Sequence, residues 1–289
     1  MTREHLLPIQ IEAEHLDDAW HQAIRQCFQF GHEYVVEHGS YRGQKRYEFD
    51  YVTVSIKRPW LQIVPLLPEG SSLAPPADMA QIETYMADYL MADALSKKED
   101  YRYGERLVNP KLRGIERPSL KERHMIKGMP IDVYHSADRR TTRTGLVAAH
   151  EHVVMGVNQV EQVVRIYEEG GHGTNQATME IAMPNDILLQ DPPCCRLIDT
   201  RVRYGKLHFV IYFRSWDLYA GFPVNLGGME LLKQMMADRI GVANGSMVVA
   251  SKGLHIYEQY YEIVEAQAQM TIEQLREEGR EKLARKGLE

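Results

Sequence analysis

The stretch Leu207-His208-Phe209-Val210-Ile211-Tyr212-Phe213-Arg214-Ser215-Trp216-Asp217 passes without interruption from aromatic and β-branched residues into an arginine, a serine and an aspartate. The composition of its first seven residues predicts a strand ending at Phe213, with the polar residues at its mouth. Downstream, Leu231, Leu232, Met235, Met236 and Ile240 recur at three and four, which predicts a helix over 228–240 stopped by Gly241. A short strand follows at 247–250. Upstream, Val160, Val163, Val164 and Tyr167 mark a helix from Val157 to the Gly170-Gly171 pair, then a strand over 178–183 and a loop over 184–193. Helices alternating with strands place the chain in the α/β class.

The first sixty residues read as a helix over 19–30 (Ala19, Trp20, Ile24, Cys27, Phe28) with Gly31 as its stop, then one alternating strand over 47–54 ended by Pro59. Residues 65–76, rich in proline and glycine, read as a surface loop able to act as a flap. Ile82 to Leu95 reads as helix, and 97–144 as polar, basic and looped. Thr271-Ile272-Glu273-Gln274 carries the reciprocal capping pattern and opens a charged helix at 271–286 with few apolar anchors, expected to be exposed or to dock on a partner. Neither repeats nor a sharp composition shift divide the chain, so 1–289 is expected to be one domain.

With 34 basic against 40 acidic residues the net charge is −6, and 44% of residues are hydrophobic. These values exclude collagen-like, low-complexity and disordered classes, and argue against a nucleic-acid partner. Three cysteines, Cys27, Cys194 and Cys195, form no disulfide framework and favour a reducing compartment. Neither a leader nor a membrane span is evident, so the expected location is cytoplasmic.

Pro192-Pro193-Cys194-Cys195 by itself reads as a buried structural thiol after a rigid turn. Arg214 by itself reads as a surface arginine after a strand, Asn225 as a turn or helix-cap residue, and His255-Ile256-Tyr257 as two side chains on one face of a strand. Together they form an ordered series: Pro193-Cys194, Arg214-Ser215-Trp216-Asp217, Gly221-Phe222-Pro223-Val224-Asn225 and His255-Ile256-Tyr257. In order and interval this series resembles the folate-dependent thymidylate synthases and their pyrimidine nucleotide hydroxymethylase relatives, over roughly residues 157–262, with Tyr103-Gly104 as a further match.

The resemblance implies an α/β (α+β) thymidylate-synthase-like fold, a large twisted mixed sheet flanked by helices, and a homodimer. It implies that Cys194 adds to C6 of dUMP, that Arg214 and Ser215 hold the phosphate, and that His255 and Tyr257 bind the sugar. It further implies that Tyr103 places reacting groups and that Asp217 is the folate-side and structural carboxylate. On the same resemblance, the expected co-substrate is 5,10-methylenetetrahydrofolate and the expected products are dTMP and dihydrofolate. Residue chemistry agrees. A guanidinium such as Arg214 is able to lower a thiol pKa while holding an anion, and an amide such as Asn225 donates to O4 while accepting from N3–H of uracil, a pattern that cytosine inverts.

The chain departs from the family at Cys195, where histidine is usual, and at Phe213, where glutamine is usual. Thr174-Asn175-Gln176-Ala177-Thr178 stands where an arginine pair crosses the dimer to the phosphate. Arg42, Arg139, Arg140, Arg143, Arg201 and Arg203 are the candidate substitutes, and a family-type closing tail after Tyr261 is not evident. These departures keep two alternatives open: a pyrimidine nucleotide 5-hydroxymethylase, in which water traps the methylene, and a non-catalytic nucleotide-binding homologue. His150-Glu151-His152 lacks a second ligand pair at metal spacing and reads as hydrogen-bonded histidines. Arg139-Arg140-Thr141-Thr142-Arg143 reads as a solvated loop.

Overall fold

A computed structural model describes residues 5–37, 41–67, 74–94, 101–109, 120–126, 129–134, 157–189 and 191–286. Its elements in chain order are β1 (Pro8–Ala13), α1 (Leu16–Phe30), β2 (His32–Val35), β3 (Lys45–Glu48), β4 (Tyr51–Ile56), α2 (Met79–Thr84), α3 (Tyr103–Val108), β5 (Leu120–Ile126) and β6 (Met129–Tyr134). There follow α4 (Gln159–Gly170), β7 (Thr178–Glu180), β8 (Cys195–Arg203), β9 (Lys206–Phe213), β10 (Trp216–Asp217), α5 (Gly221–Ile240), β11 (Ala243–Ser251), β12 (Leu254–Tyr257), α6 (Tyr261–Ala268) and α7 (Ile272–Lys286).

A six-stranded mixed sheet runs β1-β4-β11-β9-β8-β7, beside a four-stranded sheet β10-β12-β3-β2 and the β5–β6 hairpin. The strand expected over 47–54 is therefore two strands. It breaks at Phe49 and Asp50, leaving β3 in the smaller sheet and β4 in the larger one. The looped reading of 97–144 is corrected in its described parts by α3 and the hairpin.

The larger sheet buries one face. Val52, Val54, Ile56, Leu207, Phe209, Ile211, Met247 and Val249 are almost fully buried there, whereas Val210, projecting the other way, is 43% exposed. α1 and α5 pack on the buried face. α1 contributes Trp20 and Phe28, both fully buried, each stabilising by about 1.5–3 kcal/mol relative to exposure. The Trp20 indole N–H donates to the carbonyls of Leu218 and Tyr219 at 3.1 Å, which fixes the segment entering α5. Gly31 ends α1 without a left-handed turn. A Cβ there would lie 2.4 Å from the Cys27 carbonyl oxygen, so close backbone approach explains the glycine.

α7 begins with the reciprocal cap expected: the Thr271 hydroxyl accepts from Gln274 N at 3.2 Å and the Gln274 side chain accepts from Thr271 N at 2.8 Å. It packs on α1 of its own chain. Leu275 and Leu283 are buried, and Arg25 donates to both oxygens of Glu278 at 2.6 and 2.9 Å.

Candidate active site

Cys194 and Arg214 are separated by one antiparallel hairpin. β8 and β9 are joined by a two-residue turn, Tyr204-Gly205, with φ of 55° and 68°, the geometry that tight hairpins favour. The register pairs Cys195 with Phe213, and Arg214 N donates to the Cys194 carbonyl at 2.9 Å, so the cysteine and the arginine emerge side by side at the same end. Both prolines before Cys194 leave carbonyls in the loop without N–H groups of their own to satisfy. The Arg214 Nε takes these carbonyls at 3.2 Å (Pro192) and 3.3 Å (Pro193), and its Nη2 donates to Pro192 and, at 3.0 Å, to Asp191. Arg214 thus holds the loop that presents Cys194.

The loop is anchored further back by Asp186. Its carboxylate is 1% exposed, accepts from Arg106 Nη2 at 3.0 Å and accepts from Met183 N at 2.7 Å. Beneath the next residue, the Tyr103 hydroxyl accepts from Cys195 N at 2.9 Å. Cys195 itself is fully buried and its Sγ lies 3.7 Å from the Leu197 carbonyl.

Burial pushes the Cys194 thiol above its ordinary value, Arg214 opposes that shift, and Asp191 reinforces it. The expectation that the guanidinium lowers the thiol pKa therefore holds for its contribution and not for the net result. Cys195 is pushed up strongly by burial and then by Cys194.

After Arg214 and the half-buried Ser215, the chain crosses to the smaller sheet as β10. Asp217 pairs with His255 on β12, His255 pairs with Glu48 on β3, and Tyr257 pairs with Arg46. Alternation along strands puts Arg46, Glu48, His255 and Tyr257 on one face. The Tyr34 hydroxyl donates to Glu48 at 2.9 Å and accepts from Arg46 Nε at 2.6 Å, while Arg46 Nη2 lies 2.7 Å from the Glu48 carboxylate. Arg46 lowers the Cys194 thiol and disfavours charge on His255, so its charge reaches both ends of the site. Sequence reading missed Arg46, because only the β3–β12 register reveals it. Of the candidate arginines, Arg42, Arg201 and Arg203 are exposed, the last two at positions of β8 that alternate with buried ones; Arg139, Arg140 and Arg143 lie outside the described residues, as do His150, Glu151 and His152.

His255 is 3% exposed and its Nδ1 lies 2.8 Å from the Gly253 carbonyl. A carbonyl only accepts, so Nδ1 carries the proton and Nε2 is an acceptor. That Nε2 is buried without a partner among the described residues. Burial, and then Arg46, drive the His255 pKa down to about 3. The imidazole is thus neutral in the fold but titrates near 6.5 when unfolded. Its stabilising contribution is present above pH 6.5 and is lost as pH falls toward 3. Between pH 7 and 5 the loss is about 2 kcal/mol. Urea unfolding at both pH values is expected to show this loss in the wild type and to show it reduced by that amount in His255→Gln; an equal loss in both would refute it.

Asn225 sits inside α5, which begins at Gly221 rather than near Gly228. Pro223 is tolerated there because first-turn N–H groups lack intrahelical acceptors. The Asn225 Oδ1 accepts from the Trp216 indole N–H at 3.0 Å. Because an indole only donates, this contact fixes which end of the amide is the NH2, and that NH2 is turned toward the Tyr85 hydroxyl. Asp217 accepts from Tyr219 N at 3.0 Å and Gly221 N at 3.3 Å, and burial raises its pKa against those bonds. It holds the entrance to α5. Burial raises the Tyr257 hydroxyl to about 12, and its ring stacks on Tyr41 with centroids 4.6 Å apart.

Comparison with known proteins follows the same residues. A family model described as thymidylate synthase matches residues 132–281, more than half of the chain. Two proteins named "Putative thymidylate synthase" are similar over most of its length. The one from Methanosarcina acetivorans is 24% identical over 258 residues, covering 88% of this chain and 92% of that protein. The one from Methanococcoides burtonii is 24% identical over 266 residues, covering 92% and 97%. The thermostable thymidylate synthase A of Bacillus subtilis shares the fold at a TM-score of 0.56 and 15% identity, over 88% of this chain and 84% of that one. The hairpin that joins Cys194 to Arg214 and the strand pair that carries His255 both lie inside the matched span, and the chain belongs to the thymidylate synthase family.

Proposed function

We propose that this protein is a thymidylate synthase that acts on dUMP with 5,10-methylenetetrahydrofolate. The observation that carries this reading is the orientation of Asn225: with Oδ1 fixed by Trp216, its NH2 donates to an exocyclic carbonyl such as O4 of uracil, while the second lone pair of Oδ1 accepts from N3–H. The uracil ring lies between Asn225 and Cys194, whose Sγ adds to C6. The phosphate takes Asp191's place on Arg214, assisted by Ser215. The phosphate dianion then replaces one carboxylate charge on the guanidinium with its own. His255 Nε2 accepts from a sugar hydroxyl, and Tyr257 lies beside it on the same face.

The folate would supply the one-carbon unit and the hydride. Its pterin edge, which carries N–H donors, suits the buried Asp217 carboxylate, which lies within electrostatic reach of the Tyr257 and Tyr260 hydroxyls. Tyr103 holds the backbone beside the nucleophile. The sheet face opposite the helices, with Val210 exposed, supports a homodimer through that face.

Incubation with dUMP and methylenetetrahydrofolate is expected to yield dTMP and dihydrofolate in equal amounts, read by mass and by the absorbance rise of dihydrofolate. A hydroxymethylated nucleotide without dihydrofolate would make the protein a hydroxymethylase. Failure to trap 5-fluoro-dUMP covalently would make it a non-catalytic binder.

A further inference from the structure

The hydroxyl of Tyr85 is the second buried polar atom at this site that has no partner among the described residues. Tyr85 opens a π-helical turn, Tyr85–Leu90, directly after α2, and such turns often mark functional positions. The wider turn carries the ring across α5 at Gly228, where a Cβ would lie 2.5 Å from the Tyr85 Cδ1. Glycine at 228 is therefore what admits this side chain. The ring stacks on Tyr89 with centroids 5.1 Å apart and planes 20° from parallel. Its hydroxyl ends against the Asn225 side chain, within electrostatic reach of Cys195 and Tyr101. It is thus held from both sides, with the Asn225 amide acting on the phenol oxygen as a hydrogen-bond donor, while its own O–H finds no acceptor among the described residues, which is costly for a buried hydroxyl unless a ligand accepts it.

We propose that Tyr85 is a catalytic residue whose hydroxyl donates a hydrogen bond to the pyrimidine O4, beside Asn225, and stabilises the negative charge that reaches O4 when Cys194 adds to C6. This rests on the reading of the site as one for dUMP. In the step, the Cys194 Sγ–C6 bond forms, the C5–C6 π pair moves to make the C4–C5 double bond, and the C4–O4 π pair moves onto O4 as an enolate. Tyr85 keeps its proton and donates to that oxygen; deep burial holds the phenol neutral, which suits a donor. A donor aimed at a developing oxyanion in a desolvated site contributes about 10²–10³-fold in rate.

Tyr85→Phe keeps the ring packing against Gly228 and Tyr89 and removes only the hydroxyl with its contact to the Asn225 amide. The test measures the rate of covalent trapping of 5-fluoro-dUMP with methylenetetrahydrofolate, and the affinity for dUMP alone by calorimetry. The variant is expected to trap at least roughly a hundredfold more slowly with dUMP affinity within about threefold of wild type. The 4-thio analogue of 5-fluoro-dUMP, whose sulfur accepts hydrogen bonds poorly, should bring the two rates together. Equal trapping of 5-fluoro-dUMP by both proteins would overturn the proposal. So would an equal slowing with the oxygen and sulfur analogues, which would indicate a packing role. Failure of the wild type to trap at all would instead overturn the proposed function.

Discussion

Cys194→Ser is expected to abolish turnover and 5-fluoro-dUMP trapping, with a loss of at least roughly 10⁴-fold, the scale set by removing a nucleophile that other groups serve. Cys195→Ser is expected to remain within about tenfold of wild type, the size of one modest hydrogen-bond change. The two cysteines are adjacent, yet the fold treats them differently. Cys194 is half-buried on a loop held by Arg214, whereas Cys195 is the first residue of β8, fully buried, with its N–H on Tyr103. A serine hydroxyl at 195 inherits the Leu197 carbonyl as acceptor. Mass spectrometry of the trapped adduct and steady-state rates check both variants. An active Cys194→Ser with a dead Cys195→Ser would shift the nucleophile by one residue and dismantle the site as described.

Asp186→Ala is expected to destabilise the protein by about 3–5 kcal/mol, the range for removing one partner of a buried ion pair and stranding the other. Arg106 would lose the carboxylate that pairs it, and the Met183 N–H its acceptor. Urea unfolding measures the loss, and Asp186→Asn, which keeps one of the two acceptor oxygens, should fall between alanine and wild type. Because the same carboxylate anchors the 184–188 turn before Asp191 and Cys194, slower 5-fluoro-dUMP trapping by folded Asp186→Ala should accompany the loss. A change below about 1 kcal/mol would mean that water reaches the pair and screens it.

The legible parts of the fold were those with a repeated apolar period. α1, α4 and β9 were read from spacing because each buries a single stripe or face, whereas α5 is buried around most of its circumference, Glu230 and Lys233 included. β8 went unread. Arg196, Asp199, Arg201 and Arg203 break its apolar pattern, because its outward side faces away from the helices. The start of α5 was placed seven residues late, since Gly221, Pro223 and the Gly227-Gly228 pair are poor helix formers. Tertiary packing overrode that propensity: Gly227 and Gly228 are where Ile82 and Tyr85 press against the helix. The charged α7, expected to be exposed or to dock on a partner, docks on α1 of its own chain, which spacing does not reveal because Arg25 and Gln29, which meet its Glu278, lie some 250 residues earlier.

The sequence by itself determined the family and the order of the site's chemical groups, because thiol, guanidinium, amide and imidazole lie within one ordered run whose intervals equal a hairpin, a helix entrance and a strand pair. Only the tertiary structure decided which groups face one another across strands and helices. Arg46 and Glu48 join His255 and Tyr257 through the β3–β12 register, and Tyr85 reaches Asn225 through the gap at Gly228. The physical reason is that local spacing encodes which side of an element a residue occupies, whereas register and close helix contact depend on the shape of a distant partner. The same holds for the Cys194 thiol, whose burial outweighs the nearby Arg214 charge only once the chain has folded around it.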